Sequence, residues 1–185
     1  LAPVLARTRS AASVAIVLSN DSQYFAHATG GSVWNELNAT ANVARLLDGA
    51  GVSFAFINLD QLQGNAIGDY QAVILPGLPI VSDRGYQLLQ DYAAAGGTVI
   101  RHPGSALRNE FGHITRDEPF AATTTNASKG AIWEIRQWQE QGNTGYIQRE
   151  SVGKGQLLFC ALDCSKLGSV VTNAEKLAAA SAAYG

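Results

Sequence analysis

The chain has 185 residues, 46% of them hydrophobic and only 15% charged, against about 25% charged in an average soluble domain. Thirteen Lys and Arg against fifteen Asp and Glu leave a net charge of -2 and a sequence pI near 5.9, without the basic stripe that a phosphate backbone demands; nucleic acid is not expected as a partner. The length suits one domain with one sizeable core, falls short of the roughly 200 residues of a complete (β/α)8 barrel, and holds no apolar run near the roughly 18 residues of a membrane span.

Leu1-Ala2-Pro3-Val4 lacks the positive region that opens a signal peptide, and no membrane partner is expected. There is no Met, even at position 1, which leaves a piece of a longer polypeptide, a processed chain, or one whose start is not included. Residues 1–13 have no clear period and read as a connector, leaving 14–185 as a single domain.

Val14-Ala15-Ile16-Val17-Leu18 is a continuous apolar run, the pattern of a strand buried on both faces of a parallel sheet. Ser19 to Gly31 reads as a polar loop. Ser32 then caps a helix from Val33 to about Ala50, with Asn35, Asn38, Asn42 and Arg45 on one face and Val33, Leu37, Ala44 and Leu47 on the other. Gly49 and Gly51 close it.

Val52 to Ile57 and Ala72 to Leu75 are the second and third strands; Asp60 to Gly68, between them, is too short and Gly-broken for a full helix. Ser82 caps a helix from Asp83 to about Ala95, with Leu88, Leu89 and Tyr92 inward. Gly96-Gly97 ends it and Thr98-Val99-Ile100 starts the fourth strand. Pro103 to Lys129 reads as a long excursion.

Ile132 to Trp138, Tyr146 to Val152 and Gln156 to Leu162 then read as strands. The last two are joined by the tight Gly153-Lys154-Gly155 turn, which predicts antiparallel pairing at an edge. Thr172 to Tyr184 reads as a final helix. The fold class that follows is α/β: a doubly wound, mostly parallel, flavodoxin-like sheet with helices on both faces and antiparallel late strands.

Ligands of such sheets bind beyond the carboxyl ends of the strands, which singles out Asn20, Asp21, His102 and Ser105 as candidate ligand-binding residues. Thr29-Gly30-Gly31-Ser32 lacks the spacing of a P-loop or dinucleotide fingerprint and reads as a loop with an N-cap. His102 and Ser105 have no G-x-S-x-G frame, so no catalytic residue is expected. His27, His102 and His113 are the only histidines, and none stands at i,i+4 from another His or a Cys, so neither a metal nor a cofactor is expected. Asp21, Glu110 and Asp163 read as surface carboxylates. Trp133 and Trp138 fall on opposite faces of a late strand, one suited to packing and one to a sugar or an interface.

Cys160 and Cys164 on an extended segment lie roughly 13 Å apart at about 3.3 Å per residue, too far for a disulfide. Two thiols are expected, and they do not fix the compartment, with the cytoplasm slightly favoured. N-x-S/T triplets begin at Asn20, Asn38 and Asn126, and would matter only in a eukaryotic secreted protein.

The residues also carry a resemblance. Ser13 to Leu18, the helix-to-strand passage Ala44-Arg45-Leu46-Leu47-Asp48-Gly49-Ala50-Gly51-Val52, and above all Tyr70-Gln71-Ala72-Val73-Ile74-Leu75-Pro76-Gly77-Leu78-Pro79-Ile80-Val81-Ser82-Asp83 resemble the middle, or trimerisation, domain of family 42-type bacterial β-galactosidases. Leu89 to Val99 and Gly153-Lys154-Gly155-Gln156 continue the likeness. It implies a class I glutamine-amidotransferase-like fold, and with it a comparison of catalytic elements. Active amidotransferases carry a nucleophilic Cys on the turn after the strand corresponding to Thr98–His102, and a His-x-Glu pair after a late strand. Here those places read Arg101-His102-Pro103-Gly104 and Ala161-Leu162-Asp163-Cys164.

The resemblance therefore implies a non-catalytic accessory and oligomerisation domain of a galactosidase-like glycoside hydrolase. Its partners would be further copies of itself, a trimer by resemblance, and the barrel of a parent enzyme that holds the acid and the nucleophile. The alternative is a free-standing domain that binds a small sugar or anion at the strand ends. A hydrolase using His102 and Ser105 is the weakest of the three readings.

Overall fold

A computed structural model describes residues 12–61, 66–116, 147–160 and 164. The predicted connector before residue 12, the strand Ile132–Trp138 and the helix Thr172–Tyr184 lie outside the described residues, as do Trp133, Trp138 and Asp163.

The apolar run Val14–Leu18 forms β1, in which Ala15, Ile16 and Val17 are at most 1% exposed. The strand is flanked on both sides, by β2 (Phe54–Asn58) and β3 (Ala72–Leu75), each parallel to it. β3 pairs in parallel with β4 (Thr98–Arg101), and β4 in parallel with β6 (Gly155–Cys160). β5 (Ile147–Val152) closes the edge as an antiparallel hairpin with β6. The sheet order β2-β1-β3-β4-β6-β5 is that of a flavodoxin-like sheet, with β6 in the fifth place and β5 added at the edge. The close approach at Gly155 requires glycine: a Cβ there would stand 2.2 Å from the Gly97 carbonyl oxygen.

Side chains alternate between two cores, as the pleat requires. Ala15, Val17, Val73, Leu75, Val99, Leu157 and Phe159 form the larger, covered by the Asp83–Ala95 helix through Leu89, Tyr92 and Ala93. Ile16 and Ile74 face the other way, against Ala39 and Val43 of the Val33–Gly49 helix. Each such fully buried aliphatic side chain contributes about 1.5–3 kcal/mol. The Asp83–Ala95 helix is built as its sequence predicts: Ser82 accepts from Gly85 N at 3.0 Å, Leu89 and Tyr92 are buried, and the Tyr92 hydroxyl donates to Tyr70 O at 2.8 Å. The Cys160 and Cys164 side chains remain thiols.

Two expectations are corrected. Ser19–Gly31 is not a polar loop: Asn20–Ala28 is a helix, here α1, with Ser19 as its N-cap accepting from Ser22 N at 3.1 Å. Its apolar stripe is too narrow to show in periodicity, and it is held by contacts outside itself. Val33–Gly49 becomes α2 and Asp83–Ala95 α3. In α2 the inward face is rotated from the expected one. Glu36, Thr40 and Asn42 are buried with Ala39 and Val43, whereas Leu37 is 38% exposed. Asn42 is drawn in because its amide donates to Cys164 O at 2.9 Å, beyond β6.

Candidate functional site

Chain connections diverge between β1 and β3, so the crevice outside Leu18 and Leu75 is where a ligand of such a sheet binds. Here the loops after β1, β3 and β4 are bonded to one another across it. Ser105, fully buried, donates its hydroxyl proton to Leu75 O at 2.8 Å and accepts from Gly77 N at 2.8 Å. His102 N donates to Leu75 O at 3.2 Å and Ser105 N to His102 O at 3.0 Å. Arg101, 5% exposed, sends Nη2 to Ser105 O at 2.7 Å while its guanidinium stacks 5.1 Å over the Phe159 ring.

On the α1 side, Ser19 and Ser22 both donate their hydroxyls to Ile80 O, at 3.1 and 3.0 Å, and Ile80 N donates back to Ser22 Oγ at 2.9 Å. Ser22 is fully buried. Ala106 N reaches Leu78 O at 2.7 Å and Arg108 N reaches Pro79 O at 3.0 Å. Ala106 itself sits at φ 56, a left-handed conformation that costs a non-glycine residue about 1–3 kcal/mol and persists because these bonds over-determine it.

The outer surface of this cap is a fixed loop from Arg108 to Arg116. Asn109 Oδ1 accepts from Phe111 N at 3.2 Å and from His113 N at 3.1 Å, and Arg108 Nη1 donates to Gly112 O at 2.7 Å. The Arg108 guanidinium stacks 5.1 Å over Phe25 of α1. Gly112 turns at φ 77, and a Cβ there would come within 3.2 Å of the Phe25 ring. Arg116 pairs with Asp83 and donates to Val81 O and Arg108 O, both at 2.9 Å. Glu110 Oε2 accepts from Asp83 N at 2.9 Å, and hydrogen bonds from its own and the Asp83 backbone amide hold its carboxyl below the usual range. Phe111 and Ile114 project outward, 76% and 68% exposed.

Of the residues singled out from sequence, His102 and Ser105 are joined through their backbones, while Asn20 and Asp21 stand exposed on the first turn of α1. Ser19, Ser22 and Asn109 complete the bonded loops without standing among the candidates read from sequence. The Ser19-x-x-Ser22 spacing is an N-cap signal, but Asn109 offered none. Elsewhere, Glu36 is buried with its Oε2 accepting no hydrogen bond, and desolvation raises its pKa from 4.5 to about 7. Among the described residues a groove of about 630 Å³ runs between α3 and the β5–β6 edge, floored by Leu157 and Phe159. None of Asn20, Asp21, His102 and Ser105 lines it. Among the described residues no cluster of three His, Cys, Asp or Glu side chains converges as metal ligands, and no helix is long and apolar enough to cross a membrane.

The sequence profile of the β-galactosidase trimerisation domain matches residues 12–124. No curated protein matches the chain significantly. Among solved structures, a β-galactosidase from Bacillus circulans sp. alkalophilus is similar over 94% of this chain and 32% of its own, at 14% identity and a TM-score of 0.62. The cold-adapted β-galactosidase from Rahnella sp. R3 matches over 96% and 33%, at 18% identity and 0.60. An exo-β-1,4-mannosidase from Opitutaceae bacterium strain TAV5 shares the fold over 99% and 37%, at 13% identity and 0.53. The chain thus spans about a third of the length of these three enzymes.

Proposed function

The chain belongs to the β-galactosidase trimerisation domain family, and on that footing we propose that it is a non-catalytic accessory domain that holds copies of a galactosidase-like glycoside hydrolase together. The chemistry then belongs to a barrel elsewhere in the parent polypeptide, and the assembly is a homotrimer. The observation that carries the non-catalytic part is the fate of the hydroxyls at the strand ends. Ser19, Ser22 and Ser105 all spend their protons on main-chain carbonyls of the β3 end and its loop, and a nucleophile needs that proton given to a base. The same closure favours a scaffold over a binder of small ligands, because the crevice such a ligand would enter is crossed by the chain's own bonds.

The test uses the polypeptide that carries this chain. His102→Ala and Asp21→Ala are expected to leave kcat and KM for an aryl β-galactoside within about twofold of the parent's. A loss of kcat of a hundredfold or more on either change would place reacting groups in this domain and overturn the proposal.

A further inference from the structure

Glu36 is the one buried carboxyl among the described residues, 7% exposed, with its Oε2 accepting no hydrogen bond. Helix side chains lean back toward the N-terminus, so this carboxyl lies over the turn that starts α2. That turn is weakly held. Ser32 stands at the N-cap without a side-chain bond, where a serine usually accepts from an amide of the first turn. Gly30, Gly31, Ser32, Trp34 and Asn35 are all exposed, and Gly30, at φ 72, has nothing within 4 Å of where a Cβ would stand. From Ala39 onward the helix is anchored: Ala39 and Val43 share a core with Ile16 and Ile74, and Asn42 donates to Cys164 O at 2.9 Å. Glu36 sits between this fixed body and the loose elbow before it.

We propose that the head of α2, from Gly30 to Leu37, is a pH-sensitive hinge: as pH rises, Glu36 gives up its proton and the first turn opens at Gly30-Gly31 to carry the carboxylate into water, while the helix from Ala39 on stays in place. An ionised carboxyl in a dry place without a partner is costly, and nothing described around α2 offsets it. β1 and the core residues Phe54, Ile74 and Ile100 carry no titratable group. Arg101 of β4 stacks on the other sheet face, over Phe159. Asp21, Tyr24 and His27 of α1, and Arg45 and Asp48 of α2, are exposed, and Cys164, in the same core, is a thiol. Burial thus raises the Glu36 carboxyl from 4.5 to about 7. An opening that wets it restores the lower value, so the open form gains on the closed one as pH rises, by about seventyfold between pH 5 and pH 8. The opening that costs least takes this gain. The elbow supplies it, because it frees Glu36 without uncovering Ala39 or Val43, and the released carboxylate meets the positive end of the helix dipole.

The test is amide hydrogen exchange on the full-length protein at pH 5 and pH 8, corrected for the intrinsic rate at each pH. The amides of Leu37 and Asn38, whose helical acceptors are the carbonyls of residues 33 and 34, are expected to lose protection by at least tenfold and up to about seventyfold. Val43 and Ala44, in the fixed body of the helix, are expected to keep theirs. Glu36→Gln keeps the shape and removes the charge, and is expected to make exchange at Leu37 and Asn38 independent of pH. Unchanged protection at Leu37 and Asn38 in the unaltered protein overturns the proposal. So does an equal loss along the whole of α2, since the opening is then of the entire helix. A pH dependence that persists in the Glu36→Gln protein overturns it as well, because another group would be driving the opening.

Discussion

Ser105 has one proton to give and two lone pairs to offer; the proton goes to Leu75 O and one lone pair takes Gly77 N, in a place without solvent. It ties the end of β3 to the loop after β4. Removing a buried hydroxyl of this kind costs about 1–2 kcal/mol, so Ser105→Ala is expected to lower the urea midpoint accordingly; a change under about 0.3 kcal/mol would contradict the assigned role. Glu36 acts in the opposite sense. Its folded pKa of about 7 lies above the 4.5 of an open chain, so the folded state holds the proton more tightly. Stability is therefore full below about pH 4, falls as pH rises from 4.5 to about 7, and levels off above that. At about 1.4 kcal/mol per pH unit, the loss is on the order of 3 kcal/mol. Glu36→Gln is expected to recover most of it at pH 8 and to change little at pH 4, as read from unfolding curves at both values.

Among the elements, α1 depends most on its surroundings. Nine residues are too few for an independent helix, and what holds this one is the Ser19 cap, the paired bonds between Ser22 and Ile80, and Phe25 beneath Arg108. Ser22→Ala removes both Ile80 bonds, so amide exchange at Ile80 is expected to speed up at least tenfold while β1 amides stay protected; unchanged exchange at Ile80 would count against the staple. The same dependence explains what could be read from the sequence. Val14–Leu18, Ala72–Leu75 and the Gly153 turn announce themselves because their partners are generic: any sheet neighbour satisfies a buried apolar run. Ser82 and Leu89 likewise act within or just beside their own helix. The inward turn of Asn42 could not be foreseen, since its partner is a carbonyl 122 residues away. Ser105 was legible as a strand-end residue but not as a clamp, because Leu75 and Gly77, 30 and 28 residues back, decide which bonds it makes.

At the scale of the molecule, a flavodoxin-like sheet keeps its helices and its strand order while the loops at the carboxyl ends of its strands are hydrogen-bonded to one another. Beside them, the bonds of Asn109 and Arg108 hold Phe111 and Ile114 out in solvent on a fixed loop. A domain so arranged suits contact between proteins better than reaction with a small molecule. The most direct measurement is the mass in solution, by sedimentation equilibrium, of the parent polypeptide with and without residues 12–185. Three copies in the first case and fewer in the second are what the scaffold account predicts; an intact trimer after removal of the segment would contradict it.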